Sequence, residues 1–182
     1  AQLVMDGAVP LRPGVLSMWQ SCIRAGVRLG IVTTTSRSNV DALLRTHLGA
    51  DWSRHFASIV CGEDVLKKKP DPEAYQLALQ QLCLSPDSVV AVEDSPGGLS
   101  AAKAAGIATI VTPSIYFADD HSYVSAMATG PGFHVSHGWR LPGGVKLRLA
   151  EPTVYDLDCW LCASTELEID CECEPPQAAR AA

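Results

Sequence analysis

Four short apolar runs, at 27–32, 56–60, 89–93 and 107–111, are interleaved with segments whose apolar residues recur at helical spacing. Helix and strand therefore alternate along the chain. That order points to an α/β fold: a doubly wound parallel sheet with right-handed crossovers. Parallel strands bring their carboxyl ends to one edge, and an open α/β sheet binds its ligands there. The residues at those ends are the informative part of the sequence.

The run from Val89 ends on two adjacent acids, Glu93 and Asp94, before the turn Ser95, Pro96, Gly97, Gly98 and an Ala-rich helix that stops at Gly106. Hard anionic oxygens side by side suit Mg²⁺; the same acids would also serve as caps of the following helix. The run from Val27 to Val32 reads as a buried strand and leads into Thr33, Thr34, Thr35 and Ser36. Hydroxyls and backbone amides in such a place can hold a phosphoryl group, or simply cap the next helix from Asn39 to Leu48. Lys67, Lys68 and Lys69 precede Pro70 and Pro72. The prolines stiffen the approach to a helix over 72–84, so Lys69 is placed as a point charge for a phosphate and nearby carboxylates. Tyr75, Leu77, Ala78 and Leu82 are candidates for that helix's inner side. Hydroxyl, ammonium and paired carboxylates thus converge on one sheet edge, which a surface or capping role for each alone does not explain.

With 182 residues, 47% of them hydrophobic, the chain is long enough for one domain with a real core. A net charge of −6 argues against a nucleic-acid surface, and no apolar run reaches the ~18 residues of a membrane span. With no charged-then-apolar leader either, the protein is expected in the cytoplasm, or in the plastid stroma of a photosynthetic eukaryote. Cys22, Cys61 and Cys83 lie singly in periodic segments and are expected to be buried free thiols. Cys159, Cys162, Cys171 and Cys173 form a CxxC and a CxC that could hold Zn²⁺, but the short acidic gap between them favours an extension with no settled fold.

The strings IVTTTS, KKKPDPEAY and VVAVEDSPGG, with the continuation AAKAAGIATIVTPSIYFADD, resemble the second, third and fourth motifs of the haloacid dehalogenase superfamily. The wording is most similar to the branch of CbbY and β-phosphoglucomutase, over roughly residues 9–127. The resemblance implies a Mg²⁺-dependent phosphatase working through an aspartyl-phosphate, with a phosphorylated sugar, best xylulose-1,5-bisphosphate, as substrate. Carried across, Thr33 would hydrogen-bond the transferring phosphoryl group, with Thr34 beside it; Lys69 would bridge phosphate and nucleophile; Glu93 and Asp94 would hold Mg²⁺. A phosphomutase shares all these residues. A non-catalytic protein that binds phosphorylated metabolites is the alternative outside enzymes.

The family's first motif, DxDGT, supplies nucleophile and general acid/base, and it is absent from this chain. In the nearest string, VMDGAV, Val4 would stand at the nucleophile position and Asp6 at the second acid. Residues 1–11 are accordingly expected to be the end of a cap domain that is otherwise missing, 12–127 the core, and 128–182 a divergent tail after the Gly/Pro-rich break at 130–144. The chain is expected to be an N-terminally truncated piece, unable by itself to form the phosphoenzyme and prone to associate through exposed strand edges.

Overall fold

The computed structural model describes residues 9–118, 122–135, 138–141 and 146–147. Helix and strand alternate as the hydrophobic pattern requires: α1 (Val15–Arg24), β1 (Leu29–Val32), α2 (Arg37–Leu48), β2 (Phe56–Val60), α3 (Glu73–Leu82), β3 (Val90–Glu93), α4 (Pro96–Ala104) and β4 (Ala108–Val111). Three two-residue strands follow, β5 (Ala128–Thr129), β6 (Trp139–Arg140) and β7 (Lys146–Leu147). Short 3₁₀ turns at Trp52–His55 and Ser122–Ser125 lead into β2 and β5.

Among the described residues the sheet is in two pieces. β1 pairs with β2 in parallel, and β3, β4 and β5 form a second parallel set extended by antiparallel β6 and β7. Among the described residues, β1 and β3 each keep one edge without a strand partner. Helices hold the pieces together. Leu29 of β1 and Val90 of β3 join Met18 and Cys22 of α1 in one apolar cluster, while Val32 of β1 and Ala91 of β3 join Tyr75 of α3 in another. Neighbours along a strand point to opposite faces, so Val90 and Ala91 place α1 and α3 on opposite sides. The doubly wound arrangement follows.

The open edges correct the expectation of a buried strand at 27–32. Val27 is 45% exposed and lies outside β1, and within β1 itself Gly30 is exposed and its neighbours only half-buried. Val92, mid-strand in β3, is also 45% exposed. Unpaired edges with apolar side chains beside them favour pairing between molecules. The 182-residue chain should therefore elute as associated species in size-exclusion chromatography with light scattering; a monodisperse monomer would contradict this.

Two further expectations change. Packing does not stop at residue 127: β5 pairs with β4, and Phe133 and the fully buried Trp139 complete the cluster around Met18 and Ile110. Of the glycines that read as a break, Gly130 serves this packing. A Cβ on Gly130 would collide with the Trp139 ring, and Gly132 and Gly138 take positive φ, where side chains are strained. Cys83 is exposed, because it occupies the left-handed position ending α3 (φ 52°) rather than the helix's inner face, whereas Cys22 and Cys61 are buried and burial raises both thiol pKa values. Asp6, Val4 and the four cysteines at 159–173 lie outside the described residues. No helix among the described residues is long and apolar enough to cross a membrane.

Candidate functional site

The hydroxyl turn leaves β1 still tied to its neighbour: Thr33 N donates to Val60 O at 2.9 Å. Thr35 N then donates back to Thr33 Oγ1 at 3.2 Å, and Asn39 Nδ2 donates to Thr35 Oγ1 at 3.1 Å. Ser36 caps α2 by accepting from Asn39 N. Gly62 comes so close to the Thr34 carbonyl that no Cβ would fit, and its N–H donates to Thr35 O at 2.9 Å. The turn thus performs the capping role that its composition suggests. It also leaves Thr34 exposed and Thr33 half-buried at the strand end. Thr33 Oγ1 accepts from Thr35 and retains its own proton to donate.

Of the three lysines, one turns inward. Glu73, in the first turn of α3, accepts from Leu66 N and Lys67 N at 2.9 Å each and pins the loop. Lys67 and Lys68 face solvent. The Lys69 side chain is 12% exposed, and its Nζ donates to Val32 O at 2.9 Å and to Glu93 Oε1 at 2.5 Å. One ammonium therefore links the carboxyl end of β1 to that of β3, across the two unpaired edges.

Glu93 Oε1 has a second donor, the Tyr75 hydroxyl of α3. The Lys69 ammonium also lies 4.8 Å from the centroid of the Tyr75 ring. Burial, and then the charge of Glu93, hold the Tyr75 hydroxyl proton well above the usual phenol range, so this group stays a donor. Glu93 Oε2 lies against Gly98 in the first turn of α4, where a Cβ would run into the carboxylate. Ser95 caps that turn, accepting from Gly98 N at 3.1 Å. Asp94 is exposed; its backbone carbonyl accepts from Ser114 N at 3.0 Å, which fixes the strand end against the segment after β4.

Four of the five expected residues are thus brought together: Lys69 bonds Glu93 directly and the peptide carbonyl preceding Thr33, and Asp94 follows Glu93. Thr34 sits on the same turn, facing solvent. Sequence reasoning assigned Tyr75 to the helix's inner side and missed its hydroxyl contact; the available signal was a phenol among otherwise aliphatic inner positions. It also missed Gly98 as the space for Glu93, and Arg12, whose guanidinium donates to Thr112 O at 2.5 Å and to Pro113 O at 3.2 Å, tying the segment before α1 to the end of β4.

The two acids at the end of β3 form a donor set for a hard cation. The Asp94 carboxylate and Glu93 Oε2 accept no hydrogen bond among the described residues, so both have oxygens to offer. No third Asp, Glu, His or Cys joins them in a metal-binding cluster there. The pair fits Mg²⁺ as part of a ligand set.

The model of haloacid dehalogenase-like hydrolases matches residues 2–112, more than half of the chain. The chain belongs to this family. It is 44% identical over 131 residues to the CbbY protein of Cupriavidus necator, covering 72% of this chain and 51% of that protein. It is 37% identical over 98 residues to a phosphorylated carbohydrates phosphatase of Thermotoga maritima, covering 54% and 44%. Among solved structures, CbbY of Rhodobacter sphaeroides in complex with xylulose-(1,5)bisphosphate superposes with a TM-score of 0.69 at 38% identity, covering 74% of this chain and 61% of that one. A β-phosphoglucomutase-like structure from Thermotoga maritima gives 0.57 at 32%, covering 65% and 54%. The chain spans about half the length of the curated relatives it matches. The α/β fold of this hydrolase family accounts for the strand order described above.

Proposed function

We propose that this chain carries the phosphate- and Mg²⁺-binding part of a sugar-phosphate phosphatase that acts through an aspartyl-phosphate, with xylulose-1,5-bisphosphate as substrate. The observation that carries the reading is the Lys69 ammonium, held between Val32 O and Glu93 Oε1 at the carboxyl ends of β1 and β3. Thr33 donates its hydroxyl proton to a phosphoryl oxygen, and Thr34 adds a contact from the exposed side of the turn. Lys69, already positioned, offsets charge on the phosphate and on an attacking carboxylate, which requires no reorganisation during transfer. Glu93 and Asp94 hold the cation. Mg²⁺, when bound, supplies neutralisation of charge on the phosphoryl oxygens. The attacking carboxylate is not among the described residues, and its place in this reading is a strand between β1 and β3.

The substrate rests on the likeness to CbbY, whose structure holds that bisphosphate. Phosphate release from xylulose-1,5-bisphosphate and from glucose-1-phosphate, measured for the complete gene product, tests the reading. The complete gene product should hydrolyse the bisphosphate faster than glucose-1-phosphate, and Asp94→Asn should lower kcat by at least about 10²-fold. Release from neither substrate would overturn the reading. Conversion of glucose-1-phosphate to the 6-phosphate would replace it with a phosphomutase.

A further inference from the structure

The contact between Tyr75 and Glu93 concerns the choice of cation. It rests on the reading of Glu93 and Asp94 as the cation site. A carboxylate offers two lone pairs on each oxygen. On Glu93 Oε1 both are engaged, one by Lys69 Nζ and one by the Tyr75 hydroxyl. Oε2 accepts no hydrogen bond among the described residues. Glu93 can give a cation Oε2, but Oε1 only if a buried donor is displaced. The displaced donor would have nowhere to go: Tyr75 is 6% exposed, and its hydroxyl would be left unpaired in an apolar cluster with Ala91, Ala101 and Ala102.

One oxygen or two is a distinction that divalent cations read differently. Mg²⁺ demands a small octahedron and takes single carboxylate oxygens together with water, whereas Ca²⁺ takes six to eight oxygens at longer distances and readily accepts both oxygens of one carboxylate. We propose that Tyr75 is a specificity-determining residue: its hydroxyl, with Lys69, keeps Glu93 a one-oxygen ligand and so biases the Glu93/Asp94 pair toward Mg²⁺ and against Ca²⁺. Gly98 works in the same direction by leaving room for Oε2 in this orientation.

Tyr75→Phe removes the hydroxyl and keeps the ring in its cluster. Calorimetric titration of the 182-residue chain with MgCl₂ and, separately, CaCl₂ gives the ratio of the two dissociation constants. In Tyr75→Phe the preference for Mg²⁺ should fall by about tenfold, the order by which outer hydrogen bonds shift metal affinity, chiefly through tighter Ca²⁺ binding. A ratio unchanged within about twofold would overturn the proposal and leave Tyr75 a packing residue. Absence of binding of either cation to the wild-type chain would overturn the cation-site reading itself, and the proposal with it. Infrared difference spectra of the wild-type chain add a measurement that does not depend on the variant folding. Ca²⁺ should produce no carboxylate bands of two-oxygen ligation that Glu93→Gln removes; finding such bands would overturn the proposal.

Discussion

Lys69→Met should destabilise the chain by about 3–5 kcal/mol, the cost of leaving a buried charge without its partner. The side chains of Lys69 and Glu93 are 12% and 7% exposed, so solvent cannot replace the lost ammonium and salt screens the pair little. For a chain of this size the loss corresponds to a fall in Tm of roughly 10 °C, measurable by circular dichroism. The same reasoning predicts recovery in the double variant Lys69→Met/Glu93→Leu. Apolar groups of similar volume often replace a buried ion pair at little cost, because neither charge then has to be desolvated. Recovery should be incomplete by about 1–3 kcal/mol, since the Tyr75 hydroxyl loses its acceptor, and adding Tyr75→Phe should restore that part. Cation binding should be lost in the double and triple variants alike. A single Lys69→Met variant within about 1 kcal/mol of wild type would show that the pair is screened as a surface bridge is.

The residues of this site were legible in the sequence to different depths, for physical reasons. Glu93, Asp94 and Thr33 could be placed because a strand is short, its apolar run ends abruptly, and parallel strands share an edge; nothing nonlocal is needed. Lys69 stood out from Lys67 and Lys68 only through the flanking prolines, and the structure separates the three by turning one inward. Tyr75 was not legible as a site residue. Its partner lies 18 positions away, and only the packing of α3 on β3 brings the two together. The exposure of Val92 beside the unpartnered edge of β3 among the described residues depends on the packing of α1 and α3 over both pieces, which no local pattern encodes. Trp139 was hidden for the opposite reason. Its surroundings carry no periodicity, and a glycine that admits a ring, Gly130, reads as a glycine that ends a domain.

Gly97 and Gly98 form a matched pair on which the geometry of Glu93 can be tested without touching a charged group. Both lie in the first turn of α4, and neither has a positive φ, so alanine is compatible with the backbone at either position. Their surroundings differ. A Cβ at Gly97 meets nothing within 4 Å, whereas at Gly98 it falls within the Glu93 carboxylate. Gly97→Ala should be neutral or stabilising by up to about 1 kcal/mol, through helix propensity alone. Gly98→Ala gains the same propensity and must move Glu93. The carboxylate is not a free end that can swing aside, because Lys69 and Tyr75 hold Oε1 and the side chain is 7% exposed. Overpacking costs roughly 1–3 kcal/mol and each buried donor left without its acceptor roughly 1–3 more, so a net loss of about 3 kcal/mol or above is expected. Urea denaturation of the two single variants measures the contrast. A Gly98→Ala variant as stable as Gly97→Ala would mean that the carboxylate can leave its partners without penalty, and the cluster of Lys69, Tyr75 and Glu93 would then be too loose to position a phosphate or select a cation.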